Sequence, residues 1–171
     1  MTFDDNFSFR AARLDDADAV FNITKASIAG LGRASYSQDQ IANWMGERTP
    51  AFYRELITAG RMTVSLRAGT VVGFVDAIPG EVTRLFLLPE ATGVGLGRRL
   101  LEIGVAQARL GHSGPIRLEA TINAEAFYQK HGFRSIGRGY FSHGLGGEPI
   151  EIVHMELLTS VAGGRALKYG C

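Results

Sequence analysis

Residues 84–102 read RLFLLPEATGVGLGRRLLE. An apolar stretch runs into Pro89, glycines stand at 93, 95 and 97, and Arg98, Arg99 and a leucine pair follow at once. Glycine lacks Cβ, so its backbone can approach a ligand closely and adopt dihedrals that other residues avoid. A helix that starts after such a loop offers unpaired N–H groups and the positive end of its dipole. Loop and helix together make an anion site suited to a diphosphate. Two better-known phosphate loops are excluded by spacing. A P-loop needs Lys and then Ser or Thr after its last glycine, where this chain has Arg98 and Arg99. The dinucleotide fingerprint spaces its glycines G-x-G-x-x-G, against Gly93-x-Gly95-x-Gly97 here. Taken alone, the loop equally fits a plain turn whose helix packs on a sheet.

A second stretch, INAEAFYQKHGF over 122–133, supplies Asn123 and Tyr128. Asn123 is a good helix N-cap in its own right, and Tyr128 can pack in a core beside Phe127. Proline, glycine loop and Leu-Leu helix, followed about two dozen residues later by Asn-Ala-x-x-Phe-Tyr-x-x-x-Gly-Phe, resemble the two cofactor motifs of the GNAT superfamily of N-acetyltransferases. The order of elements over residues 7–158 is similar to that fold as well.

The resemblance implies an enzyme that moves an acetyl group from acetyl-CoA to a primary amine of a small molecule or peptide, by direct attack through a tetrahedral intermediate. It implies that Thr92, Gly93, Val94, Gly95, Leu96 and Gly97 wrap the CoA diphosphate with Arg98 nearby. Phe86, Leu87 and Leu88 would pair with the pantetheine arm, and the Leu87 N–H would stabilise the oxyanion. Asn123 and Phe127 would hold the cofactor, and Tyr128 would protonate the departing thiolate. A tyrosine hydroxyl, with an ordinary pKa of about 10, carries its proton at neutral pH. The family loop commonly opens on Gln or Arg where this chain has Thr92, which brings a hydroxyl and no charge. The alternative reading is a non-catalytic sensor that binds acyl-CoA through the same loop.

The family has no fixed position for the base that deprotonates the amine. Glu81, Glu119, Asp76 and His154 are the candidates, with an ordered water chain as another route. Glu119 is preferred: it alternates with Leu118 and Ala120 and so faces away from them. Acceptor specificity is expected in the segment from Ile28 to Tyr53, where Ser35, Tyr36, Trp44 and Tyr53 could line a small pocket, and in the loop between the last strands. For Trp44 and Tyr53, packing beneath the helices is the preferred reading.

The elements that carry these residues follow from periodicity. Phe7 to Ala11 alternates as a strand, and Asp15-Asp16 opens a helix that fades near Gly30. Ser37 with Gln40 is a capping box for a second helix, with Ile41, Trp44 and Met45 as its buried stripe. Tyr53, Leu56 and Ile57 mark another helical turn. Met62–Leu66, Val71–Ala77 and Val82–Leu88 read as three strands of a meander. Leu96, Leu100, Leu101, Val105 and Ala108 recur at helical spacing. Ile116–Thr121 is a strand, Asn123 caps a short helix to about His131, and Phe133–Phe141 and Ile150–Leu157 are the last strands. The fold class is α/β, a mixed and mostly antiparallel sheet of about seven strands flanked by helices. One domain over residues 7–158 and a mobile tail from 159 to 171 are expected.

Composition bounds the rest. Lys and Arg number 18 against 17 Asp and Glu, a net charge of +1. Such a balance argues against a broad nucleic-acid surface. Cys171 is the single cysteine, so no intrachain disulfide forms. His112, His131, His143 and His154 lack metal-ligand spacing, and no metal is expected. Apolar runs such as Leu85–Leu88 are far too short to span a bilayer, which points to a cytoplasmic protein with no membrane partner. A homodimer through the last strands suits this fold.

Overall fold

The computed structural model describes residues 6–31, 35–141 and 149–158. The expected mobile tail, Cys171, His143 and most of the loop between the last strands lie outside them. The chain runs β1 (Phe7–Ala11), α1 (Ala17–Leu31), α2 (Gln38–Met45), α3 (Pro50–Thr58), β2 (Met62–Arg67), β3 (Thr70–Ile78) and β4 (Glu81–Leu87). It continues through α4 (Leu96–Arg109), β5 (Ile116–Thr121), α5 (Glu125–Lys130), β6 (Arg134–Phe141) and β7 (Ile150–Leu157). The seven strands form one sheet in the order β1-β2-β3-β4-β5-β7-β6. Every neighbouring pair is antiparallel except β4 and β5.

The β4–β5 pair decides the architecture. The two strands meet at a single register position, Glu81 opposite Arg117, beside the Arg117 N–H bond to Gly80 O at 2.9 Å. Beyond it they part. On the other side of β4, pairing with β3 slips between Asp76 and Ala77, so Thr83 is an extra residue bulged out of register. A bulge bends its strand and reverses which way the following side chains face. Val82, Leu85 and Leu87 accordingly pack with the α4 core, whereas Phe86 packs with the core beneath α1 and α3.

Helices cover both faces. Leu96, Leu100, Leu101, Val105 and Ala108 of α4 are buried with Val75, Val82, Leu118, Tyr128 and Phe133. Leu100 is fully buried, and truncating such a leucine to alanine costs about 2–5 kcal/mol. On the opposite face Val20 and Ile23 of α1 and Tyr53 and Ile57 of α3 pack on Val64 and Phe74. The Asp16 carboxylate starts α1: it accepts both Arg10 guanidinium nitrogens, at 2.7 and 2.9 Å, and the Arg13 N–H at 2.7 Å. These bonds from Arg10 hold its carboxyl below the usual range despite burial.

The capping box of α2 is present. The Gln40 N–H donates to Ser37 Oγ at 3.1 Å and the Ser37 N–H donates to Gln40 Oε1 at 2.9 Å. Its expected buried stripe is only half-buried, because Ile41 and Trp44 lie over the edge of a small cluster on Ile150 and Ile152. Asn123 is not the cap of α5. A 3-10 turn over Ile122–Ala124 intervenes and Ala124 takes the cap position.

Candidate functional site

Where β4 and β5 part, a cleft of about 560 Å³ opens on the α4–α5 side. Leu85, Phe86 and Leu87 of β4 form one wall, and Thr92, Gly93, Gly95, Gly97 and Arg98 form its end. Asn123, Ala124, Phe127 and Tyr128 line the other wall, with Lys130, His131 and Ser27 at the margins. Most residues picked from the sequence for this role are therefore brought together. Val94, Leu96 and Leu88 are not among the lining: Val94 is exposed and the Leu96 side chain is buried in the core.

The loop owes its shape to backbone. Gly93 and Gly95 have φ of 79° and 83°, and a Cβ at either would meet nothing within 4 Å. Their place is thus set by left-handed conformation rather than by crowding. Gly95 caps α4, and the first intrahelical bond is from Arg99 N–H to Gly95 O at 3.3 Å. The amides of Leu96, Gly97 and Arg98 lie ahead of that ladder, at the positive end of a 14-residue helix. A Cβ on Gly97 would stand 3.4 Å from the Phe127 ring, so α4 and α5 approach closely across the cleft.

The Thr92 hydroxyl, expected to face a ligand, donates instead to Pro89 O at 2.7 Å and closes the preceding turn. Arg98 is exposed and pairs with Glu102 at 2.9 Å, one helical turn on. Lys130 adds positive charge at the margin and His131 an imidazole, both passed over in the sequence reading. Their signal was present, since they stand two and three residues after the tyrosine of the second motif.

Leu87 is placed by the pleat. The Leu88 N–H donates to Val72 O at 2.9 Å, so Leu88 turns its backbone toward β3. In an antiparallel ladder successive residues alternate, and Leu87 therefore turns its N–H toward the parting. Tyr128 lies nearby, nearly buried, with its ring edge-on to Phe127 and Phe133 at centroid distances of 5.1 and 5.9 Å. Burial pushes its hydroxyl pKa up to about 12.

The cleft continues through the sheet. A smaller cavity of about 140 Å³ shares Ser27, Leu85, Phe86, Asn123, Ala124 and Tyr128 with it, and adds Trp44, Arg84 and Glu119. A third cavity of about 240 Å³ on the α1–α3 face shares Trp44, Thr83, Arg84, Phe86, Glu119 and Thr121 with the second. It adds Arg48, Glu81, Phe141, Ile150 and Ile152.

The four candidate bases fall in different settings. Asp76 is buried and committed, accepting the Thr83 hydroxyl at 2.7 Å and Arg84 at 3.1 Å. His154 faces Glu119 across the β5–β7 pair, with Nδ1 to Oε1 at 3.8 Å. Glu119 lines both smaller cavities, on the face opposite Leu118 and Ala120. Glu81 lines the outer one, and its carboxyl is raised above the ordinary range, first by burial and then by the charge of Glu119.

Of the aromatic residues weighed for the acceptor pocket, Tyr53 packs beneath the helices as preferred, and Tyr36 takes a role not expected. Tyr53 is fully buried in the α1–α3 core. Tyr36 is a buried clip: its hydroxyl donates to Glu151 O at 2.8 Å and accepts the Ile122 N–H at 3.0 Å, fixing the turn that carries Asn123. Among the described residues no three His, Cys, Asp or Glu side chains cluster as a metal site requires. No helix among them is long and apolar enough to cross a membrane.

A family model described as an acetyltransferase (GNAT) domain matches residues 33–158. The chain is similar to an IAA acetyltransferase of Azospirillum brasilense, at 31% identity over 115 residues, covering 58% of this chain and 75% of that protein. Its structure is similar to a GCN5-related N-acetyltransferase ("Aminotransferase, Class-II") from Rhodopseudomonas palustris, with a TM-score of 0.80 and 22% identity over 92% of this chain and 98% of the other. It also matches the PaiA N-acetyltransferase from Thermoplasma acidophilum, solved in complex with coenzyme A. There the TM-score is 0.68 at 21% identity, over 89% and 98% of the two chains. At these identities the two structural likenesses speak to the fold.

Proposed function

The chain belongs to the acetyltransferase (GNAT) family, and on that premise we propose that it moves an acetyl group from acetyl-CoA to the primary amine of a small molecule or peptide. One observation carries the reading. The cleft passes through the parted sheet, from the glycine loop on one face to carboxylates on the other, and Tyr128 lines it at the crossing.

Acetyl-CoA supplies an activated thioester. The amides from Gly93 to Arg98 hold its diphosphate, with Arg98 and Lys130 as nearby cations and the His131 ring beside them. Leu85 and Leu87 present free-edge backbone groups to the pantetheine arm, alongside Asn123 and Phe127. The Leu87 N–H donates to the thioester oxygen and more strongly to the oxyanion formed on attack.

Glu119 receives a proton from the acceptor ammonium, with Glu81 beside it. The free amine forms the new C–N bond, and the C–S bond then breaks. The raised pKa keeps Tyr128 protonated at any neutral pH. The same burial disfavours a naked thiolate, so proton donation as sulfur departs relieves that charge. Of the two protons the ammonium loses, one reaches solvent through Glu119 and one ends on the CoA sulfur by way of Tyr128.

The test is incubation of the protein with acetyl-CoA and a panel of amines and peptides, with acetylated product detected by mass. Product that falls sharply with Tyr128→Phe, while acetyl-CoA still binds, is expected. Binding without turnover on any amine would move the protein to the sensor reading. Loss of binding altogether would remove the diphosphate role of the loop.

A further inference from the structure

The outer cavity is lined by charge of both signs. On the β3–β4 side, Arg84 reaches Asp76 of β3 at 3.1 Å and its guanidinium stands 5.6 Å from the centre of the Phe52 ring. Arg48, from the link between α2 and α3, stands 5.6 Å from the same ring. Two guanidiniums thus stand around one aromatic ring, and Asp76 is the carboxylate bonded to Arg84. Burial and the charge of Arg84 both weaken the hold of Arg48 on its proton, with the Tyr53 hydroxyl as a compensating neighbour. On the β5 side stands Glu119, facing His154 of β7, and Glu81 stands at the start of β4, opposite Arg117 of β5 and within electrostatic reach of both Glu119 and Arg84. Trp44, Phe86 and Phe141 supply apolar surface between.

We infer that the acceptor is a small amino acid-like molecule, its amine held toward Glu119 and Glu81 and its carboxylate held by Arg48 and Arg84. The inference deepens the acetyl-transfer reading and rests on it for the orientation of the amine. Guanidinium is the side chain suited to a planar carboxylate, because its donors form a fork of matching geometry. A ligand carboxylate between Arg48 and Arg84 also offsets the repulsion of the two cations. Cavities of about 240 and 140 Å³ fit one small molecule, below the usual range for drug-sized ligands. The aromatic walls favour an apolar side chain on that molecule.

The experiment compares amines that differ only by the carboxylate: phenylalanine with phenethylamine, and leucine with isoamylamine. Trp44 is the single tryptophan and lines the cavity, so its fluorescence reads acceptor binding without need of turnover. Titrations use the full chain, with and without CoA, and product formation is followed separately by mass. The carboxylated member of each pair is expected to bind at least tenfold more tightly. Arg48→Gln should erase that gap, and Arg48→Lys should retain part of it, both variants being checked for native circular dichroism. No preference for the carboxylate in either pair, failure of both members to bind included, overturns the inference. So does a preference that survives in Arg48→Gln. Failure of acetyl-CoA to bind or react would instead strike the transfer reading, while the Trp44 titration still decides the carboxylate.

Discussion

The two faces of the parted sheet meet their ligands with different parts of the chain. On the α4 face the cleft is built from backbone: glycines of positive φ, the amides that start α4, and the outward-turned N–H of Leu87. On the α1–α3 face it is built from side chains, with Trp44, Arg48, Arg84 and Glu119 delivered by four separate segments. On the transfer reading, the backbone groups meet what any acetyl donor shares, and the side chains meet what distinguishes one acceptor from another. A family can keep the first face and exchange the second, which is why family membership reaches the donor and stops short of the acceptor.

The sharpest way to break this comparison lies at the seam. Tyr128→Phe should lower kcat by about 10²–10⁴-fold, the usual range for a positioned acid, with the Kd for acetyl-CoA nearly unchanged. Equal losses in both would make the hydroxyl a binding group. Next in size, Glu119→Gln should lower kcat by roughly 10²-fold. If Glu81→Gln has that effect and Glu119→Gln does not, the proton leaves through Glu81.

On the backbone face, Gly95→Ala places a Cβ in a left-handed conformation, at a cost of roughly 1–2 kcal/mol. Relief of that strain moves the amides, and the Kd for acetyl-CoA measured by calorimetry should rise about tenfold, the equivalent of 1.4 kcal/mol. Trp44→Ala should leave that Kd within about twofold and alter only acceptor kinetics.

The pH profile gives a smaller signal. Glu81 binds its proton more tightly in the folded chain than an ordinary carboxyl does. A rate that needs its ionised form rises with pH through that raised value, and Glu81→Gln should flatten the rise. Stability moves the opposite way: the raised pKa favours the fold while Glu81 is protonated. That contribution is lost as pH climbs from the ordinary carboxyl value through the raised one. Smallest of all, Thr92→Ala should change the acetyl-CoA Kd less than about threefold, because its hydroxyl already serves Pro89.

The same division explains what could be read from the sequence. Most strands and helices followed from periodicity to within a residue or two; α3, read as a single turn around Tyr53, is a nine-residue helix that starts at Pro50. The loop from Thr92 to Gly97 was legible because glycine at a special position needs no partner elsewhere. The acceptor side was less so. Strict alternation over Val82–Leu88 places Val82, Arg84 and Phe86 together, and the bulge at Thr83 separates them. Nothing in the composition of the strand announces that extra residue. Arg48 and Arg84 are far apart in sequence, and the fold brings them together around Phe52 and the outer cavity. Asn123 looked like a cap because asparagine is good at it; the 3-10 turn pinned by Tyr36 moves the helix start past it.

The meeting of β4 and β5 at one register position leaves an open strand edge inside the molecule rather than at its rim. Exposed edges elsewhere invite other chains to add a strand, with aggregation as the hazard. This edge is walled by α1 on one side and by α4 and α5 on the other. On the transfer reading, the unbranched pantetheine arm lies along this edge as a temporary eighth strand. Acetyl-CoA is then expected to raise the melting temperature with its concentration: at a hundred times its Kd the added stability is about 2.7 kcal/mol.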